Sequence, residues 1–114
     1  MSDPNCLFCR IVRGEIPAKI VAEDEHSVAF RDIDPQAPVH VVIIPREHVP
    51  GLDRANDAAL VGRLALMAAD IARREGIAES GYRTVVNVGP DAGQSVFHLH
   101  LHLIGGRSLG WPPG

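Results

Sequence analysis

The chain has 114 residues, 46% of them hydrophobic, with 11 Lys and Arg against 14 Asp and Glu and a formal net charge of −3. That length fits one domain, residues 1–114, and leaves no room for a second. The acidic balance argues against a general nucleic-acid binder, which needs a basic face, but not against holding one small nucleotide with a few aimed donors.

The first residues, Met1 to Asn5, lack the basic start and apolar core of a secretory signal. No apolar run approaches the ~20 residues of a bilayer span, so the expected address is cytoplasmic, with no membrane partner. Cys6 and Cys9 form a Cys-x-x-Cys pair, which in a reducing compartment suggests metal or redox chemistry more than a structural disulfide. A short helix is expected over residues 6–13, stopped by Gly14 and Pro17. Strands are expected over residues 19–23 and 27–31, around the charged turn Asp24-Glu25-His26. Pro35 and Pro38 make residues 32–38 a loop. His40 then opens a buried strand, residues 40–44, that ends at Pro45.

The clearest element is a helix over about residues 57–75, where Leu60, Leu64, Met67 and Ile71 recur at three- and four-residue intervals. Asn56 is its expected N-cap and Gly76 its C′ residue. Two more strands, residues 82–88 and 96–104, flank the turn Gly89-Pro90-Asp91-Ala92-Gly93. The count is roughly five strands, one long helix and a short N-terminal helix, an α+β domain with a mainly antiparallel sheet.

The chemistry concentrates in His98-Leu99-His100-Leu101-His102-Leu103-Ile104. Strand side chains alternate, so the three histidines share one face and the leucines the other, buried against the helix. Imidazole retains a neutral fraction at pH 7, and crowding three rings together opposes multiple protonation, keeping one free as a nucleophile. Histidine attack on phosphorus divides one hard hydrolysis into two displacements. A tripod metal site on this strand, or a polar strand face without chemistry, is the competing reading.

This stretch resembles the signature of the histidine-triad (HIT) superfamily. Gly14-Glu15-Ile16-Pro17-Ala18-Lys19, Asp32-Ile33, Pro35-Gln36-Ala37-Pro38, Gly93-Gln94-Ser95-Val96, Gly105-Gly106-Arg107 and Trp111-Pro112-Pro113-Gly114 resemble its Hint branch, the purine nucleoside phosphoramidases. The resemblance implies a HIT-like fold and attack by His100 on an α-phosphorus. An amine would leave, and water would hydrolyse the nucleotidyl-histidine. It places His102 on the phosphate, His40 in support of the nucleophile, and Asn87, Gln94 and Ser95 on the phosphate and leaving group, Ser95 being counted with the catalytic set. Asp32 would accept hydrogen bonds from the ribose hydroxyls. Leu7, Phe8, Ile11, Phe30 and Ile33 would line the purine slot, although read alone they are plain core. Read alone, His40 is a satisfied core histidine and Gly93-Gln94-Ser95 a polar turn.

The resemblance further implies one structural zinc on Cys6, Cys9, His48 and His98, no organic cofactor, and a homodimer whose tail reaches the partner's site. A closed tetrahedral site of this kind stabilises a fold rather than activating water. Arg31, Asp34 and Gly110 depart from the family pattern and bear on substrate preference. The rival functions are a dinucleoside polyphosphate hydrolase of the same superfamily, a nucleotide-binding adaptor with little turnover, and a zinc-stabilised interaction module.

Overall fold

A computed structural model describes residues 2–114, so Met1 of the N-terminal reading lies outside the described residues. The elements run α1 (Leu7–Val12), β1 (Ile20–Glu23), β2 (Ser27–Arg31), β3 (Val39–Pro45), a 3-10 turn (Leu52–Arg54), α2 (Ala58–Arg74), β4 (Tyr82–Val85) and β5 (Leu101–Gly105). All neighbouring strands pair antiparallel, in the order β1-β2-β3-β5-β4. The α+β architecture expected from the sequence is the one observed. No helix among the described residues is long and apolar enough to cross a membrane.

Strand β3 lies in the middle of the sheet, which explains its unbroken apolar run. Val41 and Ile43 face α2 together with Ala29, Leu101 and Leu103, packing on Leu64, Ala68 and Ile71. Val42 and Ile44 face the opposite side with Val28 and Phe30, against Phe8 and Cys9 of α1. A strand covered on both faces has no polar side to show, so it loses the alternation of a half-exposed strand. Full burial of each large aliphatic side chain here is worth about 1.5–3 kcal/mol.

The stripe of α2 packs as its spacing requires, with Leu64 and Ile71 buried and Leu60 and Met67 partly so. Its N-cap is Asp57 rather than Asn56. The Asp57 carboxylate accepts the N–H groups of Ala59 at 3.0 Å and Leu60 at 3.3 Å, and its negative charge suits the positive helix end better than an amide one residue earlier. At the other end Gly76 takes φ +76°. The N–H of Ile77 then closes on Ala72 O at 3.0 Å and that of Gly76 on Arg73 O at 3.2 Å, capping the last carbonyls.

Both C-terminal strands are shorter than expected. β5 begins at Leu101 rather than residue 96, and β4 ends at Val85 rather than residue 88. The ladder runs out because β3 ends at Pro45, which has no N–H to offer. The ring of His98 takes the Pro45 carbonyl, and Leu99 N–H goes instead to Val49 O at 2.6 Å. The alternation survives outside the ladder. Leu99, Leu101 and Leu103 join the α2 core, whereas His98, His100 and His102 meet α1 and the other face of β3.

Candidate active site and metal centre

A cleft of about 1010 Å³ opens on the α1 side of the sheet, walled by α1, the loop after β2 and the face of β3 and β5. Leu7, Phe8, Ile11, Phe30 and Ile33 supply apolar walls, and Asp32, His40, Ser95, His100 and His102 supply polar groups. Register explains the meeting of His40 and His102. β3 and β5 pair His40 with Ile104 and Val42 with His102, so the two rings are diagonal neighbours on one face.

Backbone partners fix where each ring carries its proton. His100 Nδ1 lies 2.7 Å from the His98 carbonyl. A carbonyl only accepts, so Nδ1 holds the proton and Nε2 keeps a bare lone pair. Phe8 packs edge-on against this ring with centroids 5.1 Å apart, and His102 lies at 5.0 Å. His40 has the opposite tautomer. Its Nδ1 accepts the Gln36 N–H at 3.0 Å, so its proton is on Nε2, which faces His102 Nδ1 at 2.9 Å and Asp32 Oδ2 at 3.3 Å.

His102 Nδ1 therefore accepts, and its own proton sits on Nε2 as a donor for the cleft. Burial, reinforced by His100 and His40, lowers the His102 pKa to about 4, so the ring is neutral at physiological pH. Asp32, His40 and His102 lie close enough together to suggest a cation site. The proton on His40 Nε2 leaves that nitrogen no lone pair to give a cation, and the trio is a hydrogen-bond relay.

The second cluster is different. Cys6, Cys9, His48 and His98 bring four donor atoms within 4.8 Å of one another. His98 Nδ1 lies 3.3 Å from Cys6 Sγ, 3.5 Å from Cys9 Sγ and 3.2 Å from His48 Nδ1, and Cys9 Sγ lies 3.3 Å from His48 Nδ1. Metal–sulfur bonds of about 2.3 Å and metal–nitrogen bonds of about 2.0–2.1 Å give a tetrahedron with edges of roughly 3.3–3.8 Å. The observed spacings are close to those edges. His98 Nε2 donates to Pro45 O at 2.8 Å, leaving Nδ1 unprotonated toward the sulfurs, as a ligand must be. The N–H groups of Asp3 and Cys9 point at Cys9 Sγ and Cys6 Sγ, each at 3.4 Å.

Burial raises the Cys6 thiol pKa, and burial lowers that of His98 to about 4. A dication would favour both ligand forms, the thiolate and the neutral ring. The residues present fit a zinc ion. A four-ligand site closed by protein would cross-link α1 to the histidine segment and leave no position for substrate.

Two of the residues expected to contact the nucleotide are not among those lining the cleft. Neither Asn87 nor Gln94 lines it. The Gln94 side chain is spent on the backbone, donating to Pro50 O at 2.9 Å and Val96 O at 3.2 Å and accepting from Gly89 N–H at 3.0 Å. It braces the loop that presents Ser95. Its sequence gave no sign of this, because all three partners depend on how that loop meets residue 50. Of the departures from the family pattern, Arg31 pairs with Glu75 at 2.6 Å, and Gly110 O accepts from Arg83 at 2.8 Å. Ile16, Pro17 and Lys19 line the mouth of the cleft, a role that their place in a recognised motif hinted at without specifying.

Residues 13–109 match the HIT domain family. The chain is 48% identical to the adenylylsulfatase HINT1 of Arabidopsis thaliana over 99% of its own length and 79% of that protein's. It is 46% identical to the 14 kDa zinc-binding protein of Zea mays, covering 100% of this chain and 91% of the relative. A crystal structure of a HIT family hydrolase from Legionella pneumophila superposes with TM-score 0.94 at 51% identity, over 96% of this chain and 100% of that one. With His100 and His102 of its three alternating histidines lining such a cleft and His98 buried behind it among the cysteines, this chain belongs to the HIT family.

Proposed function

We propose that the protein is a cytoplasmic nucleotide hydrolase that cleaves purine nucleoside phosphoramidates through a nucleotidyl intermediate on His100. The observation that carries this reading is the His100 tautomer. With Nδ1–H held by the His98 carbonyl at 2.7 Å, the Nε2 lone pair is available for in-line attack. It forms an N–P bond as the P–N bond to the amine breaks, and the departing nitrogen takes a proton. The Ser95 hydroxyl lines the cleft and can pass that proton on from solvent, while neutral His102 keeps its Nε2–H as a hydrogen-bond donor. Water then adds to phosphorus and gives up a proton to solvent, the His–P bond breaks, and its electron pair returns to Nε2.

His102, neutral and acting as a donor, would stabilise negative charge on the phosphoryl oxygens. Asp32 Oδ1 accepts Asp34 N–H at 2.8 Å and Oδ2 faces His40 Nε2 at 3.3 Å, which leaves each oxygen a further lone pair for a ribose hydroxyl. The apolar slot on α1 and β2 suits a purine. Zinc on Cys6, Cys9, His48 and His98 would be structural. The edge strand β4 supports the homodimer, because an unpaired strand edge is a template for a second copy; light scattering tests this. The name of the Arabidopsis relative favours a second substrate, adenylyl sulfate, in which sulfate replaces the amine as leaving group and the same attack applies.

The test is hydrolysis of adenosine phosphoramidate and adenylyl sulfate by wild type and His100→Ala, with denaturing quench to trap labelled nucleotide on protein. The variant should lose at least ~10³-fold in rate and all label, as for removal of a covalent nucleophile. Equal rates, or wild type that binds nucleotide without turnover, would end the enzymatic reading in favour of an adaptor.

A further inference from the structure

The relay that sets His102 begins outside the cleft. Arg107, just past β5, donates Nη2 and Nε to the carbonyl of Gln36 at 2.9 and 3.3 Å, and Nη1 to Ser108 O at 2.9 Å. The N–H of the same Gln36 is the donor that fixes the His40 tautomer. Gln36 Nε2 in turn holds Asp34 O at 3.0 Å, and Asp34 N–H holds Asp32 Oδ1. One guanidinium thus grips the residue to which His40 and, through Asp34, Asp32 are tied.

The approach that makes this grip possible is narrow. Gly106 adopts φ +91°, a conformation L side chains rarely take, and a Cβ there would come within 3.0 Å of Pro38 Cβ. Gly105 is equally confined, since its Cβ would meet Ile77 Cδ1 at 2.7 Å. Gly106 lets the chain lie flat against the proline loop and turn Arg107 across it, while Gly105 lets the strand end pass under Ile77 and Tyr82. A guanidinium suits the task because its fork puts two N–H groups on one oxygen, which an ammonium does less rigidly.

We propose that Arg107 is a positioning residue for the hydrolysis. By clamping Gln36 it holds the 32–38 loop so that His40 keeps its proton on Nε2 and His102 presents Nε2–H to the phosphate. This rests on the proposed hydrolase reading for its catalytic consequence, but not for its structural one. Without the clamp the Gln36 N–H drifts from His40 Nδ1, the ring samples both tautomers, and His102 loses its fixed donor. A displacement of this order costs about 10-fold or more in turnover.

The experiment compares wild type, Arg107→Ala and Arg107→Lys by long-range ¹⁵N–¹H correlation of the histidine rings at one pH, alongside kcat and KM for adenosine phosphoramidate. The His40 resonances of wild type should report a single Nε2–H tautomer. Arg107→Ala should show a mixture and a kcat lower by about 10-fold. Arg107→Lys, which keeps the charge and guards against a fold that fails on truncation, should fall between. An unchanged His40 tautomer in folded Arg107→Ala would overturn the proposal, as would a changed tautomer with unaltered kcat. If wild type turns over no nucleotide, the hydrolase reading fails separately, and the spectra still decide the clamp.

Discussion

Replacing Cys9 by serine tests the metal centre and its reach into the cleft. Cys9 is 1% exposed, with its Sγ 3.3 Å from His48 Nδ1 and 3.5 Å from His98 Nδ1. The change removes one ligand and almost no volume, so the lost packing is small and the lost ion dominates. An ion at about 1,000 times its Kd, bound only by the folded chain, adds about 4 kcal/mol. At roughly 4 °C per kcal/mol for a domain of this size, Tm should fall by on the order of 15 °C.

Calorimetry with and without chelator reads the effect, and metal analysis of both proteins identifies its source. Chelator should lower the wild-type Tm to that of Cys9→Ser and leave the variant unmoved, because the two perturbations act on one site. Two contacts carry the disturbance onward. His98 also offers its carbonyl to His100, and Phe8, from the helix that Cys6 caps and Cys9 belongs to, packs on the His100 ring. Turnover should therefore fall with the metal although no ligand faces the cleft. A wild-type Tm that neither falls with chelator nor rises again with added zinc would refute the reasoning.

His102→Gln should flatten the pH dependence of stability. The ring's pKa is lowered to about 4 in the fold by burial first and by its neighbouring histidines second, against about 6.5 unfolded. Above pH 6.5 neither state binds the proton. Between 6.5 and 4 only the unfolded state does, so stability falls as pH falls, and below 4 the loss is complete. Urea unfolding at pH 7 and pH 5 should show a smaller difference in the variant than in wild type. Gln94→Ala leaves the Gly89 N–H, Pro50 O and Val96 O without their side-chain partner. It should cost about 1–3 kcal/mol in denaturant unfolding and lower kcat more than it raises KM, since Ser95 loses its support. Leu103→Ala, at a position with 0% exposure between the sheet and α2, should cost about 2–5 kcal/mol with ligand affinity unchanged.

Some of this architecture is written locally in the chain. The three- and four-residue recurrence from Leu60 to Ile71 states an amphipathic helix, and Gly76 states its end. The His-Leu alternation assigns opposite faces whether or not the segment joins a ladder, because an extended backbone alternates by itself. That alternation extends the expected strand back to residue 96, and only the lack of partners beyond Pro45 excludes residues 96–100 from the sheet. Asn56 and Asp57 are both good caps, and the choice between them rests on one residue of helix phase that propensity does not resolve.

The sequence by itself determined the α+β class with its long amphipathic helix, the histidine face and the spacing of Cys6 and Cys9, because these follow from periodicity and spacing over a few residues. His48 and His98 are expected at the cysteines only through the family resemblance, and tertiary structure alone decided that Gln94 is spent on backbone and where each histidine keeps its proton. The physical reason is that a ring's tautomer belongs to its hydrogen-bond partner. Those partners, the carbonyl of His98 for His100 and the Gln36 N–H held by Arg107 for His40, acquire their positions only when the strands have found their register and the loops have closed.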